Sequence, residues 1–456
     1  MKKSIYLFAA GVMATAFSFA QETAEAPKKE EGKFSVSGYI DSYYLTALNR
    51  PASGLLGGTS GAGRAFDRLT DQFSLGLVQT KFAYSNAKSE MVIDLTFGPN
   101  AALGNFGNTG FNPLGYYPSG NGAGRNLLYG NSMAIKQAYF TYKFTDKLSL
   151  TVGQFGTHIG YEVIDAPVNF HYSLSNLFNN GPFYHIGAKA NYAFSDNFGI
   201  MVGLVNNWDA LTDWKTQKSI IGQIYIKPVD GWNIYLNAIG GHNDDGFYVN
   251  PTKREVDPTL GGTSPLVFAA PAPYNRFLFD LTTGYQITEQ FYLGLNAAYG
   301  MYVYDTKDKG FDADADGNVD DNIAFADGTF GKSGGWWGVA VYPNFKINDM
   351  ISIGARLEHF NDEKGMRYLS FGVNSPYGVV NNSATLTAPI TLADGHLIIK
   401  PEIRFDAASA KFANGTKFNF YENKDGLSTL DPADPTKFTG GSETQTTFGL
   451  AFIYKY

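Results

Sequence analysis

Gln137-Ala138-Tyr139-Phe140-Thr141-Tyr142-Lys143-Phe144-Thr145-Asp146-Lys147-Leu148-Ser149-Leu150-Thr151-Val152 is the stretch that decides the fold. Ala138, Phe140, Tyr142 and Phe144 alternate with Gln137, Tyr139, Thr141 and Lys143, dividing the side chains into an apolar and a wetter face, as in a strand. Thr145-Asp146-Lys147 is a minimal polar turn, and Leu148, Leu150 and Val152 carry the apolar face back. After a long irregular segment, residues 159–183, the unit recurs. Ile186, Ala188, Ala190, Tyr192 and Phe194 lead to the turn Ser195-Asp196-Asn197, then to Ile200, Val202 and Leu204. Strands of about ten residues, apolar on one side and joined alternately by short turns and long loops, are what a membrane-spanning antiparallel barrel requires.

The same alternation flanks candidate turns at Asn86-Ala87-Lys88, Val229-Asp230-Gly231, Thr288-Glu289-Gln290, Asn348-Asp349-Met350 and Ala393-Asp394-Gly395. Seven short turns on one side, with both chain ends on that side, predict an all-β, up-and-down transmembrane barrel of about sixteen strands. The long segments fall at 49–70, 98–131, 159–183, 209–218, 243–273, 306–333, 362–382 and 408–442. In the usual barrel orientation they face the medium and the short turns face the periplasm.

Residues 1–20 carry Lys2 and Lys3, an apolar run from Ile5 to Phe17, and the small residues Ser18 and Ala20. This reads as a signal peptide. The run is short for a helical membrane anchor of about twenty residues. Residues 21–33, with Glu22, Glu25, Lys28, Lys29, Glu30 and Glu31, form a charged periplasmic linker, and the barrel occupies 34–456. The expected location is the outer membrane of a Gram-negative bacterium, with lipid around the barrel. With no cysteine, neither a disulfide nor a thiolate metal site is available. A net charge of −7 argues against a nucleic-acid partner. The 29 Tyr, 36 Phe and 52 Gly beside 17% charged residues suit a barrel with aromatic girdles.

Alternation also assigns the interior. Between Leu397 and Ala407, the residues Leu397, Ile399, Pro401, Ile403 and Phe405 face out while Lys400, Glu402, Arg404 and Asp406 face in, because charge facing hydrocarbon is costly. By the same reading Asp41, Glu90, Asp94, Lys143, Lys189, Lys227, Arg276, Asp280, Lys346, Arg356 and Glu358 line the pore, with Asn191, Gln223, Asn233, Asn237 and Asn296 beside them. A ring of about sixteen strands is too wide for its own side chains to fill. The charges then either face a water-filled lumen and favour small hydrophilic solutes, or pair across neighbouring strands to stiffen the wall, and the two are compatible. Their mixed signs predict no strong anion selectivity.

The segment Gly153-Gln154-Phe155-Gly156-Thr157-His158-Ile159-Gly160-Tyr161-Glu162 adds a resemblance. It is followed by Asn169, Tyr172, Ser173, Gly181-Pro182-Phe183-Tyr184, Gly187 and Asn206-Asn207-Trp208. Together these resemble the second outer-membrane β-barrel porin family of Gram-negative bacteria. The opening Gly38-Tyr39-Ile40-Asp41-Ser42-Tyr43-Tyr44, leading to Asn49-Arg50-Pro51, is similar to that family's start. The resemblance implies a passive channel without naming its solute. Tyr172-Ser173-Leu174-Ser175 departs from the family where an Arg is expected. In general porins the third loop narrows the channel, and by that analogy Glu162, Asp165 and His171 are candidates for the constriction, or else pack the loop against the wall. The final strand, Phe448, Leu450, Phe452, Tyr454 and Tyr456, resembles the ending read by the barrel-assembly machinery, although a terminal Phe is commoner. Association as a homotrimer is compatible with the reading.

Asp312-Ala313-Asp314-Ala315-Asp316-Gly317-Asn318-Val319-Asp320 fits the first nine positions of a calcium loop. Asp312, Asp314, Asp316, Asn318 and Asp320 are the candidate ligands of an extracellular Ca2+, but position twelve is Ile323 where a bidentate Glu is needed, so an acidic solvated loop is the alternative. No cofactor is required. The six histidines, His158, His171, His185, His242, His359 and His396, fall in no local hydrolase signature, so no enzyme is expected and no catalytic residue is assigned. The other functional reading is surface binding or adhesion through the long loops, with Phe106, Phe111, Tyr116 and Tyr117 either docking a partner or sitting in the collar at the membrane surface.

Overall fold

The computed structural model describes residues 32–56, 64–105, 134–211, 218–243, 248–250, 256–257, 262–263, 267–269, 274–304, 334–366, 377–412, 415–431 and 434–456. Among them sixteen long strands form one antiparallel sheet. They are β1 (Lys33–Ala47), β2 (Gln72–Ser85), β3 (Ser89–Phe97), β4 (Ile135–Lys143), β5 (Leu148–Gly156), β6 (Tyr184–Ser195), β7 (Phe198–Val205) and β8 (Ser219–Ile226). The second half is β9 (Trp232–Asn243), β10 (Tyr274–Gln286), β11 (Phe291–Tyr304), β12 (Gly334–Lys346), β13 (Ser352–Asp362), β14 (Tyr377–Thr387), β15 (Leu397–Phe412) and β16 (Thr444–Lys455). Each pairs with its neighbours in sequence, and β1 pairs with β16 over Tyr39 to Ala47, which closes the ring and leaves no open edge.

All seven predicted turns join consecutive strands. Their polar residues act locally. The Asn86 and Asn348 side-chain carbonyls and the Thr145 and Thr288 hydroxyls each accept backbone N–H groups two and three residues on. Each side chain thereby stands in for the strand partner that the chain loses as it reverses. Two long segments are shorter than predicted. β14 resumes at Tyr377, inside the expected loop 362–382, and β15 runs on to Phe412, past the expected boundary at 408. Asn381 and Asn382 fall inside the expected loop, yet pair in register with Ala408 and Ala407.

Exposure follows the alternation. Leu357, Ile403, Phe405, Phe448, Leu450, Phe452 and Tyr454 are exposed large apolar residues on the outer face, whereas Arg356, Lys400, Arg404 and Asp406 are buried inside the ring. His359 also faces outward, its Nδ1 2.8 Å from the Asn382 side-chain oxygen and its ring 4.8 Å from that of Trp337.

The interior is less uniformly wet than the pattern suggested. Met201, Val205, Ile221, Ile239, Leu278, Trp336, Ala340 and Phe360 point inward from β7 to β13 and form one apolar cluster with Ile159 and Leu177 of the segment between β5 and β6. Such side chains stay inside because chain from that segment, rather than water, lies against them.

Placing a charge on the lipid face tests the orientation. Leu357→Arg is expected to cost about 2–4 kcal/mol if it lies near the bilayer midplane, read from urea unfolding in lipid vesicles. An unchanged midpoint would place Leu357 away from lipid.

Candidate functional site: a loop latched inside the barrel

Residues 157–183 leave β5 and return to β6, and on the way they touch most of the ring. The Tyr172 hydroxyl donates to Asp41 on β1 at 2.6 Å, Gln79 on β2 donates to Asp165 at 2.8 Å, and Lys136 on β4 pairs with Asp165. The His158 Nε2 lies 3.0 Å from the Ala238 carbonyl on β9, and the Gly160 N–H donates to Asp280 on β10 at 3.1 Å. Tyr161 donates to the Tyr292 hydroxyl on β11 and stacks on Tyr342 of β12 with ring centres 4.2 Å apart. Glu162 pairs with Arg356 on β13 at 2.7 Å, and the His171 Nδ1 is 2.7 Å from the Thr387 hydroxyl on β14. One segment can meet strands from both halves of a closed ring only from within it. The third long loop therefore crosses the lumen.

Its firmest attachment is to β13 and β15, where inward residues alternate in sign two positions apart. The wall carboxylates take loop N–H groups. Glu402 accepts from Tyr172 at 2.8 Å and Ser173 at 3.1 Å, and Glu358 accepts from Asn176 and Leu177 at 2.9 Å each, at the start of the short helix α2 (Asn176–Asn180). The wall cations take loop carbonyls. Lys400 donates to Ala166 at 2.7 Å and to Asn169, Arg356 to Ser173 at 2.6 Å, and Arg404 to Leu174 at 2.8 Å while also pairing with Asp406. Buried charges need partners, and here irregular backbone, whose own polar groups also need partners, supplies many of them.

Shape reinforces the latch. A Cβ on Gly294 of β11 would meet the Tyr161 hydroxyl, one on Gly338 of β12 would touch Leu177, and one on Gly354 of β13 would touch Phe170. These inward glycines are sockets for three loop side chains.

The predicted pore-lining set divides in two. Asp41, Asp94, Lys189, Arg276, Asp280, Arg356, Glu358, Lys400, Glu402, Arg404 and Asp406 are inside but buried. Besides the latch, the Lys189 Nζ sits 4.4 Å from the Phe155 ring centre. The Arg276 guanidinium lies 3.8 Å over Trp208 and donates to Asn207 at 2.7 Å, and Asp280 also accepts from Asn237 and Asn296. Glu90, Lys143, Lys227 and Lys346 are only half-buried near the short turns, where Lys227 and Lys346 pair with Asp230 and Asp349. Of the two compatible roles expected for these charges, partnering within protein is what the eleven buried ones display, and the four near the turns stay partly open. Loop chain covers many of those deeper in the ring, and protein packing encloses the rest. Glu162 and His171, proposed for the constriction, are likewise buried against the wall, and Asp165 is committed to Lys136 and Gln79. Through these contacts they hold the loop to the wall.

Several members escaped the sequence reading. A register shift opposite Asp94 and Leu95 puts Lys136 out of the alternation, and there it meets both Asp94 and Asp165. Arg64 and Asp67, in the first long loop, enter the barrel beside Asp406 and Thr447. Glu422 of the last loop accepts from Ser53 of the first, tying two loops together at the mouth. A second short helix, α1 (Pro99–Gly104), packs beside β2 and β3. No periodicity marks these loop residues. The calcium candidates Asp312 to Asp320 and the aromatics Phe106, Phe111, Tyr116 and Tyr117 lie outside the described residues. Among the described residues no group of three or more His, Asp or Glu is placed to hold a metal.

The sequence profile described as putative beta-barrel porin-2, OmpL-like, matches residues 33–456. No curated protein relative matches. Among solved structures, the outer-membrane OmpT of Vibrio cholerae aligns over 95% of this chain and 100% of its own, at 11% identity and a TM-score of 0.50. The outer-membrane channel DcaP of Acinetobacter baumannii aligns over 95% and 100%, at 11% identity and 0.48. An anion-selective porin from Comamonas acidovorans aligns over 93% and 100%, at 9% identity and 0.48.

The sockets can be tested by a pair of changes. Gly294→Val is expected to destabilise the barrel by about 1–3 kcal/mol through overpacking, and Tyr161→Ala in the same chain to recover much of that loss. Thermal unfolding in detergent measures both, and simple additivity would mean that the two positions do not touch.

Proposed function

The chain belongs to the putative beta-barrel porin-2, OmpL-like family and is an outer-membrane barrel of Gram-negative type, and on that premise we propose that it passes small hydrophilic solutes by passive diffusion. The observation that carries this reading is the polar inner wall on the periplasmic side of the latched loop. Thr141, Lys143, Asn191, Gln223, Lys227 and Asn233 face inward there and are only half-buried. Polar side chains left partly open inside a ring sealed from lipid are solvated by water in the lumen.

The loop then acts as a fixed restriction. Its polar side is tied to β13, β14, β15 and β1, and its apolar side to the inner faces of β7 to β12. Solutes pass through whatever width the loop leaves, with selection by size and by hydration. No bond is made or broken, and no covalent catalyst is needed.

Planar-bilayer recording tests the proposal. The wild-type protein is expected to form ohmic channels. Replacing both Glu358 and Glu402 by Ala removes the acceptors for four loop N–H groups. That double change is expected to raise single-channel conductance on the order of twofold, as a widened aqueous constriction does. Folded wild-type protein that inserts without conductance would overturn the diffusion reading.

A further inference from the structure

Below the loop the inner wall carries tyrosines that differ from those used as packing. Tyr39, Tyr43 and Tyr342 are buried to 3% exposure or less. Tyr225 on β8, Tyr235 on β9 and Tyr292 on β11 are only half-buried although they too point inward. Their direction follows from the alternation. Tyr225 shares a face with Gln223, whose amide donates to Asn237 at 2.8 Å, and Tyr235 shares that face with Asn237, which donates to Asp280 in the lumen. Tyr292 bonds to Tyr161 of the loop.

The rings are contiguous. Tyr225 and Tyr235 are direct cross-strand partners with ring centres 5.1 Å apart and planes 31° from parallel. On β10, between Tyr235 and Tyr292, stands Gly284, where a Cβ would fall on the Tyr292 hydroxyl, so Tyr292 lies across the gap that the glycine leaves. Asn233, paired with Gly284, accepts from the Tyr225 hydroxyl at 3.0 Å. From Tyr292 the line continues to Tyr161 stacked on Tyr342. It therefore runs over five neighbouring strands, about 20 Å at ordinary strand spacing, from the periplasmic side up to the loop.

Resting on the diffusion reading, we propose that Tyr225, Tyr235 and Tyr292 form a binding track for neutral oligosaccharides. A sugar ring presents a flat face of C–H groups edged by hydroxyls. Half-open tyrosine rings match the first, and nearby amides, which both donate and accept, match the second. Gln223 and Asn233 are the amides beside the track. A charged solute suits the place less well, because the inward lysines beside these strands, Lys227 and Lys346, are already paired with Asp230 and Asp349 at 2.7 and 2.6 Å.

Titration calorimetry of the full, detergent-folded chain with maltotriose and with cellotriose tests the track. At least one trisaccharide is expected to bind. Tyr235→Ala and Tyr225→Ala are each expected to weaken it roughly five- to tenfold, and Tyr235→Phe by less than about twofold, because the phenyl ring keeps the stacking face. Absence of binding by both sugars, or wild-type affinity in both alanine variants, overturns the track. Tyr225→Ala decides the matter if Tyr235→Ala misfolds. Conductance is recorded separately. Open channels without sugar binding sink the track alone, and sugar binding without conductance sinks the diffusion reading alone.

Discussion

Ionised groups inside a lipid-embedded ring must find water, a counter-charge or a peptide dipole, and this constraint organises the whole interior. The inner wall of β13 and β15 presents Arg356, Glu358, Lys400, Glu402, Arg404 and Asp406, more charge than strand-to-strand pairing absorbs. A loop in the lumen has the complementary problem, since its backbone N–H and C=O groups lack a sheet. The two needs meet residue by residue. Acids take amides, bases take carbonyls, and the loop from Ala166 to Leu177 lies along a wall whose sign alternates in step.

The opposite side of the same loop follows another rule. Ile159 and Leu177 join the apolar cluster on β7 to β12, and Tyr161, Leu177 and Phe170 occupy positions where the wall has glycine. Electrostatics alone would leave such a loop free to slide along a ladder of similar charges. Sockets that a single added carbon would block fix its register, because close packing does not tolerate a shift of that size. The loop is thus part of the barrel's core, and its position is as defined as that of a strand.

This gives the lumen two regimes. Around the loop it is packed and paired, and on the periplasmic side it is lined by half-open polar and aromatic side chains. A wide ring is divided in this way without any change in strand number. On the proposed diffusion reading, solutes meet the loop and then the wall below it, while the latch holds the loop in place.

Much of this was legible in the residues. Strict period-two alternation from Gln137 onward and the seven short turns determined a closed antiparallel barrel of about sixteen strands, and the parity of Lys400, Glu402, Arg404 and Asp406 determined that they point inward, because a strand has only two faces and lipid accepts only one kind. Parity cannot say what an inward side chain meets. That Glu402 holds the amides of Tyr172 and Ser173, that Lys136 leaves its parity at a bulge to reach Asp165, and that Met201 and Leu278 face protein rather than water were decided only by the tertiary structure. The partners lie as much as about 230 residues away, and many of them are backbone atoms, which are the same at every position of a sequence.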